Sequence, residues 1–300
     1  MNRRVPERHA LLVSLTGDVV GRQRMSHDRL LWSSWKSALT TRRGRLATSS
    51  ISRDSRSTTL ASVDDLLAAW YCQNGRSLPW RETRDPYAIL VSEVMLQQTQ
   101  VERVIPRWVA WLERWPTPVA LAAATPADVI REWQGLGYNR RAVSLHKAAQ
   151  VVAASGWPDD LTVLPGVGPY TAAAIRNQAY GEAVLPVDTN VARIQERTGY
   201  TFGPEALQAL FDLGATVCLR RVPRCEACPL AERCPARGRR YEPLRKQSRF
   251  EGSFRQRRAA LLRLVAVEAQ LVAGLDREAV DSLLRDGLVE QAGDLVRLPA

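Results

Sequence analysis

Cys218, Cys225, Cys228 and Cys234 follow one another as C-x6-C-x2-C-x5-C and take four of the chain's five cysteines. Four thiolates in one short loop can wrap a single compact inorganic centre. The unequal intervals differ from the paired CxxC…CxxC layout of a zinc ribbon. A [4Fe–4S] cluster accepts such a loop, with one thiolate per iron. A structural zinc site or two disulfides is the alternative reading of the same spacing. Arg220, Arg221, Arg224 and Arg233 lie among the cysteines, which suits a loop pressed against phosphates.

Three further groups could do chemistry. In Leu164-Pro-Gly-Val-Gly-Pro-Tyr170, Gly166, Val167 and Gly168 form a tight turn whose backbone N–H groups can face outward. The helix that follows adds its positive end, so the turn can hold one DNA phosphate without reading sequence. An ordinary helix corner is the plainer reading. Asp188, in Val187-Asp-Thr-Asn-Val191, precedes an apolar helix and could simply cap it. It could also stay ionised there and stabilise an oxocarbenium-like sugar as an N-glycosidic bond breaks, with Asn190 beside it. Glu93 sits in the apolar run Ile89 to Leu96. Such surroundings disfavour its charged form and raise its pKa, as a general acid needs. A half-exposed glutamate on an amphipathic helix is the competing reading. Gln98 and Thr99, one turn on, could reach into DNA.

The elements that position these groups read as helices. Periodicity and caps place them at 63–73, 87–98, 99–115, 125–133, 140–154, 170–180, 187–197 and 204–217, then at 254–267 and 277–284. No alternating strand pattern precedes about residue 285, where a small hairpin with the helices before it resembles a winged-helix fragment. The body is therefore all-α. Residues 1–60 are rich in Ser, Thr and Arg and read as a disordered basic extension. Residues 237–249 read as a basic linker.

Hydrophobic residues make up 45% of the 300, enough for a substantial core. The net charge of +11 is concentrated in two blocks. Residues 1–60 carry 12 Lys and Arg against 4 Asp and Glu, and residues 218–258 carry 13 against 4. That distribution points to a positioned anionic partner such as DNA. No apolar run reaches the length of a membrane span, and no secretory signal is read at the start. Free thiolates suit the cytoplasm.

SEVMLQQTQV, GLGY, LPGVGPYTA, VDTNV and the cysteine quartet occur in this order. Together they resemble the helix–hairpin–helix DNA glycosylases with iron–sulfur clusters, and most of all the MutY-type adenine DNA glycosylases, over residues 62–235. The resemblance implies a two-lobed fold: a six-helix barrel at 84–189, and a cluster domain joining 61–83 to 190–236. Residues 237–300 would form a linker and a small winged-helix-like segment. It implies that Glu93 protonates the leaving purine, that Asp188 stabilises the sugar cation with Asn190 beside it, and that Tyr170 is catalytic. Bifunctional relatives have a lysine where Tyr170 stands, and Lys36, Lys147 and Lys246 all lie outside these motifs. Gln98 and Tyr138 would enter the base stack, with Thr99 and the Gly166–Gly168 turn also on DNA. The implied cofactor is a [4Fe–4S] cluster on Cys218, Cys225, Cys228 and Cys234. The implied partner is duplex DNA with a mismatched or damaged pair, met by a monomer at the nucleoid if the source is bacterial. The implied reaction is hydrolysis of adenine from pairs with 8-oxoguanine or guanine, in base excision repair. The segment after Cys234 is too short for the family's Nudix-like domain. A mismatch thymine glycosylase is the runner-up, and a non-catalytic iron–sulfur DNA-binding protein the alternative of another class.

Overall fold

The computed structural model describes residues 62–242 and 249–300. The expected basic extension, Lys36, Lys246 and part of the expected linker lie outside them. The described chain is helical, with one small sheet near its end. The helices are α1 (Val63–Asn74), α2 (Pro86–Leu96), α3 (Val101–Arg114), α4 (Pro118–Ala122), α5 (Pro126–Glu132), α6 (Arg140–Ser155) and α7 (Pro169–Tyr180), then α8 (Thr189–Thr198), α9 (Leu207–Thr216), α10 (Phe254–Val267) and α11 (Arg277–Arg285). Local chemistry sets most starts. Ser62 and Asp65 close a reciprocal capping box on α1, and Thr125 caps α5 ahead of Pro126. Gly181, at φ +69, ends α7 with a left-handed residue.

Helix α2 is the centre of the first core. Its residues Tyr87 to Met95 are all buried, so it is enclosed on every side rather than amphipathic. Around it pack Val104, Trp108, Trp111, Trp133, Leu145 and Ile175. Trp111 meets Trp115 and Trp133 edge-on at 4.7 and 5.4 Å, the arrangement ring quadrupoles favour. The Trp108 indole donates to the Ala88 carbonyl at 2.8 Å and the Tyr87 hydroxyl to the Trp115 carbonyl at 3.0 Å.

A second core joins Leu67 of α1 to Val191 and Ile194 of α8, to Leu210 and Leu213 of α9, and to Leu230. Asp212, fully buried, ties this core to the segment after α1. It accepts from the Arg76 backbone at 2.7 Å and from Arg81 Nη2 at 2.8 Å. Burial pushes the Asp212 carboxyl up, yet the Arg81 and Arg76 bonds outweigh it and hold the group below its ordinary value.

The third core holds Leu262 of α10, Val280 and Leu283 of α11, Val289 and Val296, together with Ile130 of α5. Its antiparallel sheet has the order β1 (Gln270–Leu271), β3 (Leu295–Arg297), β2 (Glu290–Ala292).

Three readings of the sequence are corrected. Strand β1 pairs Gln270 with Val296 and Leu271 with Leu295, well before residue 285; two residues carry no alternation to read. Helix α4 was missed because its five residues span little more than one turn. The abutting helices expected at 87–98 and 99–115 are separated by a turn at residues 97–100, where Gln98 takes φ +56.

Candidate active site and nucleic-acid interface

Glu93 lies on the buried helix α2 and is only 6% exposed. The Gln178 amide of α7 donates to its Oε1 at 3.1 Å, and Gln208 in turn donates to Gln178 Oε1 at 3.4 Å. The Tyr170 hydroxyl, from the first turn of α7, lies near enough to the same carboxyl to favour its charged form. Burial pushes the Glu93 carboxyl above its ordinary value; the Gln178 bond and the nearby Tyr170 hydroxyl pull it partly back, and the charge of Asp188 pushes it up again. Burial, with the Glu93 and Asp188 charges, also raises the Tyr170 phenol. Tyr170 therefore stays a neutral donor. Its ring lies 6.5 Å from that of Phe211.

Asp188 is the N-cap of α8. Its Oδ1 accepts from the backbone N–H of Asn190 at 2.8 Å and of Val191 at 2.7 Å, and its Oδ2 from the Asn190 amide at 2.8 Å. These contacts are the cap that the sequence allowed, and they surround the carboxyl oxygens with N–H donors. Asn190 Oδ1 accepts from Arg193 at 2.8 Å. Arg193 also donates to the carbonyls of Gly214 at 2.8 Å and Cys218 at 3.0 Å. This chain of bonds runs from Asp188 to the first cysteine. Gly214 is glycine for a packing reason: a Cβ there would stand 2.6 Å from the Asn190 Cβ.

Cys218, Cys225, Cys228 and Cys234 line one pocket with Ile194, Leu213 and Val217. Among the described residues no three His, Cys, Asp or Glu side chains converge as a single metal ion requires. A four-iron cluster takes one thiolate per iron and so spreads its ligands. Four cysteines around one apolar-walled pocket fit that group. Cys225 Sγ accepts from the Gly238 N–H at 3.3 Å and Cys218 Sγ from Arg197 at 3.4 Å. Burial pushes the Cys228 thiol up to about 11, so ligation must displace its proton. Arg197 donates to the Leu219 and Arg220 carbonyls and stacks 3.9 Å from the Tyr241 ring centre. Arg220, Arg221 and Arg224 are exposed.

The hairpin before α7 needs its glycine. Gly166 has φ +82, and a Cβ would meet the Ser144 Cβ at 2.8 Å. Gly166 and Gly168 are exposed, whereas Val167 turns inward, 5% exposed, with its N–H bonded to the Leu164 carbonyl. The outward-facing role expected of this turn therefore rests on the two glycines and not on Val167. Gln98 and Tyr138 both line a groove of about 1000 Å³, to which α10 contributes Phe254, Arg255 and Arg263. Tyr138 is 45% exposed. The Thr99 hydroxyl is engaged internally, donating to the Leu136 carbonyl at 3.3 Å and accepting from Arg141 at 3.0 Å.

The structure thus brings Glu93, Tyr170, Asp188 and Asn190 to one place, Gln98 and Tyr138 to another, and the four cysteines to a third. Gln178, Arg193, Gly214 and Arg141 escaped the sequence reading. Of these, only Arg141 carried a local signal, three residues past Gly135-Leu-Gly-Tyr138.

Residues 91–211 match the HhH-GPD superfamily of base excision DNA repair proteins. The chain is 42% identical over 273 residues to the adenine DNA glycosylase of Mycolicibacterium smegmatis, covering 76% of this chain and 92% of that protein. It is 39% identical over 212 residues to the human adenine DNA glycosylase, covering 58% of this chain and 39% of the human protein. Among solved structures it resembles a thermostable thymine-DNA glycosylase (TM-score 0.53, 25% identity), which aligns over 58% of this chain and 94% of that one. It also shares the fold of a trapped endonuclease III–DNA covalent intermediate (TM-score 0.52, 22% identity, 58% and 92% coverage). No helix among the described residues is long and apolar enough to cross a membrane. With a helical fold, a buried glutamate near a helix-capping aspartate, and a 42%-identical relative matched over 92% of its length, the chain belongs to the adenine DNA glycosylase family of the HhH-GPD superfamily.

Proposed function

We propose that this protein removes adenine from DNA by hydrolysing its N-glycosidic bond, as a monofunctional glycosylase of base excision repair. The observation that carries the reading is the pairing of Glu93 with Asp188. One carboxyl is buried and held toward its neutral form, while the other is wrapped by three N–H donors at a helix start. Two carboxyl groups in contrasting environments are what acid-assisted glycosidic cleavage needs.

Duplex DNA would lie across the groove, with Gly166 and Gly168 and the loop arginines on phosphates. The target nucleotide swings out of the stack at a cost of a few kcal/mol. Glu93 then protonates the leaving adenine, with Tyr170 and Gln178 orienting the carboxyl. Asp188 stabilises the developing sugar cation, held in place by Asn190, and water completes hydrolysis. General-acid help of this kind is worth about 10²- to 10⁴-fold.

Cys218, Cys225, Cys228 and Cys234 would hold a [4Fe–4S] cluster, which supplies a covalent cross-link to a loop that has little core of its own. Hydrolysis moves no electron, so the cluster's role here is structural. Residues 84–189 act in this reading as the catalytic lobe, and 61–83 with 190–236 as the cluster lobe. The protein works as a monomer on cytoplasmic or nucleoid DNA.

The test is a set of duplexes carrying adenine or thymine opposite guanine or 8-oxoguanine, scored for abasic sites with and without alkali. Adenine loss opposite 8-oxoguanine and guanine supports the reading. Thymine loss from guanine mismatches, with adenine untouched, overturns it.

A further inference from the structure

Arg141, the second residue of α6, is 9% exposed, yet its guanidinium touches two separate turns. On one side Nη1 donates to the carbonyls of Val94 at 2.8 Å, Met95 at 2.9 Å and Gln97 at 2.6 Å, and Nη2 reaches Thr99 Oγ1 at 3.0 Å. On the other side Nη2 donates to the carbonyls of Leu136 at 3.2 Å and Gly137 at 2.9 Å, and Nε to that of Tyr138 at 3.3 Å. A guanidinium has five N–H donors in a fixed plane, so one group can grip two loops at once. The Thr99 hydroxyl, which donates to the Leu136 carbonyl, adds a second link between the same turns.

These two turns share a second property. Gln98 at φ +56 and Tyr138 at φ +46 are the only non-glycine residues with positive φ among the described residues. Left-handed backbone is unfavourable for an ordinary L-residue, and it persists only where the surroundings over-determine it. The carbonyls that Arg141 grips flank both positions. Arg141 forms no salt bridge among the described residues; carbonyl dipoles meet its charge. The guanidinium carbon also lies 5.2 Å from the Trp133 ring centre and 5.7 Å from that of Tyr138, which fixes its plane.

We infer that Arg141 is the positioning residue that couples the Gln98 and Tyr138 turns, so that both side chains enter the base stack as one pre-set unit and base extrusion depends on it. The inference rests on the glycosylase reading of the site, but concerns the step before bond cleavage. Lysine keeps the charge yet offers a single nitrogen, which cannot span the two turns.

The experiment uses the full-length protein and a duplex with 2-aminopurine next to the target adenine, so that its fluorescence reports extrusion. In Arg141→Lys the fluorescence rise should slow by about tenfold or more, since small misplacements of positioning groups carry penalties of this order. Affinity for a duplex with a tetrahydrofuran abasic-site analogue at the target position should stay within about threefold, because no base needs displacing. Thr99→Val removes one link at nearly constant volume and should slow extrusion in the same direction by about threefold. This second variant carries the test if Arg141→Lys does not fold. Native extrusion rates in either folded variant overturn the inference, as does an abasic-duplex affinity that falls as far as the extrusion rate. If the native protein removes no adenine from the duplex, the glycosylase reading fails; if it removes adenine and both variants extrude normally, only the coupling role fails.

Discussion

Gln178 on α7 donates to the Glu93 carboxylate on α2 across 85 positions of sequence, at 3.1 Å. Burial holds the Glu93 proton on, and this bond, the larger of the two that oppose burial, loosens it. An acid that is active only when protonated loses activity as pH rises through its pKa. Replacing Gln178 with leucine removes a stabiliser of the charged form, so the Glu93 pKa rises further. The alkaline limb of the single-turnover excision profile should move to higher pH. A limb that stays fixed or moves down would remove Glu93 from the role of acid.

Glu93 also has a thermodynamic signature. Its folded-state pKa is raised, so its stabilising contribution is complete below the unfolded-state value near 4.5 and is lost as pH rises through the folded value. Glu93→Gln carries no such loss. The variant should gain thermal stability over the native protein, by more at pH 8 than at pH 5, while excision falls by about 100-fold or more. Melting curves at the two pH values, with single-turnover rates, check both halves.

Asp188→Asn separates capping from catalysis. Asparagine caps helices about as well as aspartate, so α8 and the melting temperature should be nearly unchanged. The charge proposed to meet the sugar cation is gone, so excision should collapse while duplex affinity holds. Asp188→Ala should in addition cost about 1 kcal/mol of stability through the lost cap. Equal melting temperatures for the alanine and asparagine variants would contradict this division.

Iron analysis tests the cysteine loop. The purified protein should hold about four irons per chain, and Cys228→Ser should lower that content together with duplex affinity. Cys72, exposed on α1 and remote from the quartet in sequence, should be replaceable by serine without effect on iron. One zinc per chain and no iron would refute the cluster.

Tyr170 sets the product. Without an amine at this position no imine with the sugar can form. Lys147, the only lysine among the described residues, is exposed on α6. The product strand should therefore stay intact until alkali or heat is applied, and borohydride should trap little covalent complex. Efficient trapping by the native protein would mean lyase chemistry.

The parts legible in the sequence were those written in local chemistry. Thr125-Pro126 announced α5, and Asp188 announced the start of α8. The apolar run around Glu93 foretold its burial, though not that α2 would be enclosed on every side. What stayed hidden depends on distant partners. Gln178 looks like any polar helical residue until α7 packs on α2, and Gly214 matters only because Asn190 lies against it. The left-handed turn at Gln98, between two helices expected to abut, had no glycine or proline to mark it; the carbonyl grip of Arg141 takes the place of that local signal. The cysteine spacing foretold a shared pocket, but the chain of bonds through Arg193 that ties it to Asp188 could be seen only in three dimensions.

The bond between Asp212 and the Arg76 backbone joins residues 136 positions apart. As the chain leaves the ribosome, α1 and Arg76 emerge long before Asp212 and the helices that complete their core. Leu67 and its neighbours must wait, unpartnered, while the segment around α2 is made and folds. The lobe bearing the cysteines can therefore close only late in synthesis. A cluster held by all four thiolates would be loaded later still, once Cys234 has emerged.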